Sequence, residues 1–161
     1  LASNHPAPSI VIRPYADPDW DAICAIHDAA RLDELRDSVG LQAFLTLADT
    51  FEAEDLFGNP VVVAELDGVV AGFMSASSTE ITWLYTDPAH YRRGIARALV
   101  NSLLAVATEP IELEVLEGNH SARAFYESMG FVWHATTTGK LAGNEKFQAT
   151  GHTLVWTPPL S

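Results

Sequence analysis

The chain alternates between short runs that read as strands and longer amphipathic stretches that read as helices. Runs rich in β-branched, aromatic and apolar residues predict strands at 9–15, 60–66, 69–77, 80–86, 111–116, 131–138 and 152–157. Asp67-Gly68, set between two such runs, predicts a tight β-hairpin. Asp17-Pro18 reads as a helix start, with Asp17 as N-cap, Pro18 at the first helical position and the helix running to about residue 31. Residues 32–58 mix acids with spaced apolar residues and predict one or two short amphipathic helices. Ile95, Leu99 and Leu103 open a helix that runs to about 108, where Glu109-Pro110 stops it. Ala122, Phe125, Tyr126 and Met129 form one apolar stripe on a helix over 120–129, with Gly130 placed to cap its end. Residues 139–151, with three glycines, read as a loop. The order β-α-α-β-β-β-α-β-α-β-β predicts an α/β (α+β) chain with a mixed sheet and helices on both faces. Residues 1–8 read as an N-terminal tail and 9–161 as one domain.

Composition narrows the function. The formal charge of −12 argues against a nucleic-acid binder, which needs a broad basic face. An acidic surface keeps a protein soluble and also suits a cationic substrate. Most acids over 32–55 read as a solvated helix face. One cysteine, Cys24, excludes a disulfide within the chain, and its helical spacing with Trp20, Ile23 and His27 reads as packing. No apolar run reaches the ~18 residues of a membrane span, and the first residues lack a signal peptide's pattern. The expectation is a cytoplasmic protein with no membrane partner. The six histidines show no ligand spacing, so no metal is expected.

The richest stretch is 80–99, EITWLYTDPAHYRRGIARAL. A strand runs through Asp87-Pro88 and a basic glycine loop into a helix N-terminus. Free backbone N–H groups and the helix dipole make such a place a ready anion site. Gly94 and Ala96 lack bulk that would hold the backbone away from a pyrophosphate, and Arg92, Arg93 and Arg97 add positive charge. The bland reading leaves those arginines as solvated surface charges.

Two motifs give a resemblance. Tyr91-Arg92-Arg93-Gly94-Ile95-Ala96 is similar to the acyl-CoA loop (Gln or Arg)-x-x-Gly-x-(Gly or Ala), departing from it at Tyr91. Asn119, Ala122, Phe125, Tyr126, Gly130 and Phe131 match Asn-x-x-Ala-x-x-Phe-Tyr-x-x-x-Gly-Phe. In this order and separation, over roughly 9–157, they resemble the GNAT superfamily of acetyl-CoA-dependent N-acetyltransferases. The resemblance implies a mostly antiparallel sheet of about seven strands, splayed between the fourth and fifth. It implies acetyl-CoA as acyl donor, with no metal. The pyrophosphate would rest on 92–96, with Ile95 in that loop. Leu84, Tyr85 and Thr86 would offer backbone groups to the pantetheine arm, and Asn119 and Ala122 would lie beside it. Asn119 is also a preferred helix N-cap.

The resemblance further implies Tyr126 as general acid. A phenol of ordinary pKa ~10 is protonated at neutral pH and able to protonate a thiolate leaving group of ~8.5. On an apolar stripe, Tyr126 also reads as a core residue. Glu80, followed by Ile81, stands where some relatives carry a general base, and Glu112 and Glu114 are weaker rivals. His120 reads as an exposed helix-start residue. The expected reaction is direct attack of a primary amine on acetyl-CoA in a ternary complex. The acceptor is a small molecule or peptide, with the acids of 32–55 favouring a cation. The rivals are a non-catalytic acyl-CoA-binding sensor or subunit, toward which Tyr91 leans, and an interaction module that has lost the cofactor. Dimers are common in the family, so a homodimer is an assembly the resemblance allows.

Overall fold

The computed structural model describes residues 9–160, so the tail assigned to 1–8 lies outside the described residues. The elements are β1 (Ile10–Pro14), α1 (Trp20–Arg36), α2 (Leu47–Thr50), β2 (Val61–Leu66), β3 (Val69–Ala76), β4 (Ile81–Thr86), α3 (Ile95–Leu104), β5 (Ile111–Leu116), α4 (His120–Ser128), β6 (Val132–Leu141) and β7 (Asn144–Trp156). Short 3-10 turns occupy Asp17–Asp19, Leu41–Ala43, Leu56–Gly58 and Pro88–His90. The seven strands form two antiparallel sheets, ordered β1-β2-β3-β4 and β5-β7-β6. One parallel bridge, Glu80 with Glu112, joins them, and β4 and β5 then part. The predicted splay is therefore present.

Alternation along the central strands divides the core. Val61, Val63, Phe73 and Trp83 point to α1 and α2, where Ile23, Ile26, Leu47 and Leu56 close over them. Ala64, Leu66, Met74 and Leu84 point the other way, to α3 and α4, and pack with Ile95, Leu99, Val100, Tyr126 and Phe131. Helices thus cover both faces. Cys24 is half-buried against the α1 side, and burial raises its thiol pKa. That environment favours the inert thiol and fits the packing role. At Gly72 on β3, a Cβ would lie 2.8 Å from Ile95 Cγ2 and 3.1 Å from Tyr85 O. The glycine lets the start of α3 sit directly on the sheet.

Four boundaries differ from the sequence reading. Helix α3 ends at Leu104, about a turn short of 108, with Ala105 as its C-cap. The 139–151 stretch is not a loop: β6 and β7 run through it as one long hairpin, turning at Ala142-Gly143. Gly139 faces Ala149 and Gly151 faces Thr137 across the ladder, so cross-strand pairing overrides the breaker signal of two of those glycines. Helix α1 extends to Arg36, more than a turn past residue 31, where Arg31–Glu34 and Arg36–Asp33 pair at i, i+3. Asp17 is not the N-cap of α1. It opens a 3-10 turn that contains Pro18, and Asp19 occupies the position before the helix.

Asp19 has a structural role of its own. Its buried carboxylate accepts two bonds from the Arg13 guanidinium, at 2.8 and 2.9 Å, and one from the Ala16 N–H at 2.9 Å. Arg13 also donates to Glu65 at 2.7 Å, so β1, β2 and the entry to α1 are stitched together. Arg13 holds the Asp19 carboxyl below its ordinary 3.8, against the effect of burial. The folded state therefore takes up this proton at lower pH than the unfolded chain does. The stabilisation is intact above about pH 5 and drains as pH falls through 3.8 toward the folded pKa. Asp19→Asn should lower the unfolding free energy by about 1–3 kcal/mol at pH 7. In denaturant titrations the gap to the parent protein should narrow below about pH 4.

Candidate active site

The parting of β4 from β5 opens a cleft of about 1580 Å³ that passes between the two sheets. Its volume exceeds the ~300–1,000 Å³ of an ordinary ligand pocket, leaving room for two reactants. Past the Glu80–Glu112 bridge the facing edges of β4 and β5 make no further ladder pairs. The facing backbone groups thus need partners other than a neighbouring strand. Leu84, Tyr85 and Thr86 line this edge of the cleft.

At the wide end lies the 91–96 loop. Arg92 and Gly94 both have positive φ, +63° and +84°, and Gly94 is the N-cap of α3. A left-handed residue before a helix turns successive N–H groups to one side, and glycine takes that conformation without a steric penalty. The first turn of α3 closes with the Ala98 N–H on Gly94 O, so the N–H groups of Ile95, Ala96 and Arg97 precede any intrahelical bond. These features fit an anionic phosphate group, and the residues present suit acetyl-CoA on that ground. Arg92, Gly94, Ile95, Ala96 and Arg97 line the cleft; Arg93 is exposed and does not. Arg97 is tied to α4, donating to Ser128 Oγ at 3.2 Å with its guanidinium 5.9 Å from the Phe125 ring centre.

Tyr91, at the position where Gln or Arg was expected, reaches away from the loop to α1. Its hydroxyl donates to Asp33 Oδ2 at 3.2 Å. Partial burial and the Asp33 charge push its pKa up to about 12, so it keeps that proton at neutral pH. Nearby, His90 Nδ1 is buried without a hydrogen-bond partner among the described residues.

On the α4 side, Asn119 caps the helix, its Oδ1 accepting the Ala122 N–H at 3.3 Å, and both residues line the cleft. Tyr126 is buried, its ring 5.1 Å from Phe125 and 5.6 Å from Phe131. No group among the described residues bonds its hydroxyl, although the residue lines the cleft. It is therefore both core and cleft wall. Burial first, and then the charge of Glu34, raise its pKa above the ordinary 10. Glu80 lies exposed at the narrow end, its N–H held by Ser77 Oγ at 3.1 Å. Glu114 lines the cleft; Glu112 and His120 do not.

The other wall belongs to the 17–58 region, from whose side the acceptor was expected to enter, but the individual residues were not named as site residues. His27, Arg31 and Glu34 recur along one face of α1 and line the cleft from the side opposite α4. Burial lowers the pKa of His27, against its neighbour Asp28, so the ring is neutral at pH 7. Glu34 Oε1 accepts from Arg31 and, at 3.2 Å, from the Tyr85 hydroxyl. The available signal was polar residues at i, i+4 and i+7 within the buried stripe of a helix, a pattern that packing alone does not call for.

A profile of the acetyltransferase (GNAT) family matches residues 20–131. The chain belongs to the GNAT family. It is 29% identical over 126 residues to YafP of Escherichia coli K12, an uncharacterized N-acetyltransferase, covering 76% of this chain and 81% of YafP. The fold is similar to a GCN5-related N-acetyltransferase from Rhodopseudomonas palustris, with a TM-score of 0.76, 22% identity, and 96% and 99% of the two chains covered. It is also similar to yncA of Salmonella typhimurium, solved with its cofactor acetyl-CoA, at a TM-score of 0.63 and 24% identity, covering 94% and 96%. Within this GNAT chain, Tyr91 departs from the expected loop pattern by tying the loop to α1 rather than adding charge to it. Tyr91→Phe should cost less than about 1 kcal/mol of unfolding free energy, since the bond is exposed. It should also speed amide exchange over 91–94, which hydrogen-exchange mass spectrometry would read out against an unchanged core.

Proposed function

We propose that the protein transfers an acetyl group from acetyl-CoA to a primary amine, by direct attack within a ternary complex. The observation that carries this is the opened β4–β5 edge, with the α3 N-terminus at one end and the unpartnered Tyr126 hydroxyl beside it. Acetyl-CoA supplies a thioester, whose carbonyl carbon the amine attacks and whose sulfur leaves as a thiolate. The loop N–H groups from 92 to 96 and Arg92 hold the phosphates. The free edge of β4 over Leu84–Thr86, with Asn119 and Ala122 opposite, satisfies the amides of the pantetheine arm. Tyr126 protonates the departing thiolate, and its unspent hydroxyl is available for that bond. Glu80 is the carboxylate at the narrow end that takes the amine's proton, directly or through water. The acids of the α1 wall favour a cationic acceptor.

An amine panel assayed for thiol release tests the reaction. Amine-dependent release supports it. Calorimetric binding of acetyl-CoA without release on any amine would establish the non-catalytic acyl-CoA-binding alternative, and no binding would remove the cofactor. Gly94→Glu places a like charge where the phosphates would rest and should weaken acetyl-CoA binding at least about 100-fold in the same calorimeter. The left-handed backbone there adds only ~1–2 kcal/mol of destabilisation, so the protein should remain folded. Tyr126→Phe should lower kcat at least about 100-fold while the acetyl-CoA Kd stays within about threefold. Burial and Glu34 hold the Tyr126 proton on at pH values where a free phenol would lose it. Activity should therefore show no loss from this group below about pH 10.

A further inference from the structure

Glu34 is a charged side chain on the cleft wall that α1 forms, and in the sequence it is one acid among the several of 32–55. It lies two turns after His27 on the α1 face that lines the cleft, and its side chain is 23% exposed. Its position is fixed rather than floppy. Arg31 and the Tyr85 hydroxyl both bond Oε1, while Oε2 accepts nothing from the described residues. A carboxylate offers about four lone-pair sites, so half of its accepting capacity remains open to the cleft. Glu34 is also the charged group whose field reaches Tyr126 across the gap.

The other acids near this wall differ from Glu34 in how they are held. Asp33 spends one oxygen on Arg36, at 2.9 Å, and the other on Tyr91. Asp37 contributes its backbone to the crossing of β5's end, where a Cβ on Gly118 would lie 2.1 Å from Asp37 O. Glu80 stands at the narrow end, in the bridge itself, and is exposed. Asp37, Glu54, Glu80 and Glu114 line the cleft as well, with carboxylates that no described residue bonds; among the cleft acids Glu34 is the one held by two donors, Arg31 and Tyr85, and left with one oxygen free.

From this geometry we infer that Glu34 receives the acceptor: its free Oε2 accepts an N–H from the acceptor's ammonium group while Arg31 and Tyr85 hold the carboxylate in place. The inference rests on the acetyl-transfer reading and adds to it the residue that receives the cationic amine. A charge-assisted bond of this kind is roughly twice as strong as a neutral one and is lost when the carboxylate becomes an amide. Arg31 balances the wall, so one ammonium is read at Glu34 by a directed bond rather than by bulk negative charge.

The test uses the full chain with spermidine, cadaverine and n-butylamine as acceptors. Glu34→Gln keeps an oxygen for Arg31 and Tyr85 and removes the charge. It should raise KM for the best of these amines at least about tenfold, with kcat within about threefold and the acetyl-CoA Kd unchanged by calorimetry. Glu34→Asp keeps the charge one methylene short and should give an intermediate KM, a rescue that a purely structural role would not produce. Parent-like KM in both variants would overturn the assignment and leave acetyl transfer standing. Should Glu34→Gln not fold, Glu34→Asp alone decides, because an unchanged KM there also overturns it. Acetyl-CoA binding with no turnover of any of these amines would overturn the ammonium class and with it the role of Glu34. Failure to bind acetyl-CoA at all would instead overturn the acetyl-transfer reading.

Discussion

The structure turns on a pairing that stops. β4 and β5 meet at Glu80–Glu112, bonded through the Glu112 N–H to Thr79 O at 2.9 Å, and then diverge. Each already has an antiparallel partner on its outer side, β3 for β4 and β7 for β5. The fold therefore survives the missing ladder, because each half-sheet is complete without it. What cannot survive unaided is the polarity of the exposed inner edges. Buried N–H and C=O groups without partners cost free energy on the order of 1–3 kcal/mol each. An extended ligand carrying amides of its own offsets that cost, and a sheet edge is suited to hold one. The cleft follows from the geometry of two finished sheets hinged at one bridge.

The cleft residues are placed with respect to that gap. Gly72 lets α3 sit close on β3, which brings the α3 N-terminus to the wide end of the gap. The apolar stripe of α4 packs Tyr126 against Phe131 and leaves the hydroxyl at the cleft wall. Helix α1 crosses the opposite side and approaches the end of β5 so closely that only a glycine fits at 118. Tyr126 thus serves two surroundings: its ring supplies core packing, and the residue also lines the cleft.

Much of this was legible from the residues. Asp67-Gly68 marked the β2–β3 turn, and both residues take positive φ there. Gly94 and Gly130 were read as breaks in regular structure, and both have positive φ. The strand-loop-helix at 80–99 and the Asn119–Phe131 segment held their predicted forms because local chemistry and tertiary packing agree in them. The long β6–β7 hairpin was not legible, since its strands carry glycines and threonines whose pairing is decided across the ladder rather than along the chain. The α1 wall was hidden for a different reason. In sequence, Asp33 and Glu34 are neighbours in an acidic run, and composition gives them one meaning. In the fold they lie on adjacent faces of the helix, one bonded to the loop through Tyr91 and the other to β4 through Tyr85.

That divergence gives the Tyr91 departure its physical sense. A Gln or Arg at the first loop position would add a donor or a charge toward the phosphates. Tyr91 sends its hydroxyl to α1 instead, and α1 also carries Glu34. Asp33 and Glu34 are consecutive, so the bond from the loop and the bond from β4 grip the same turn of helix. The 91–96 loop and the opposite wall of the cleft are therefore joined by the Tyr91–Asp33 bond. The loop gives up one positive side chain near the phosphates and gains a mechanical connection to the far side of the cleft. Backbone N–H groups and Arg92 remain to meet the anion, and their geometry, set by two left-handed residues in a row of three, does not depend on Tyr91.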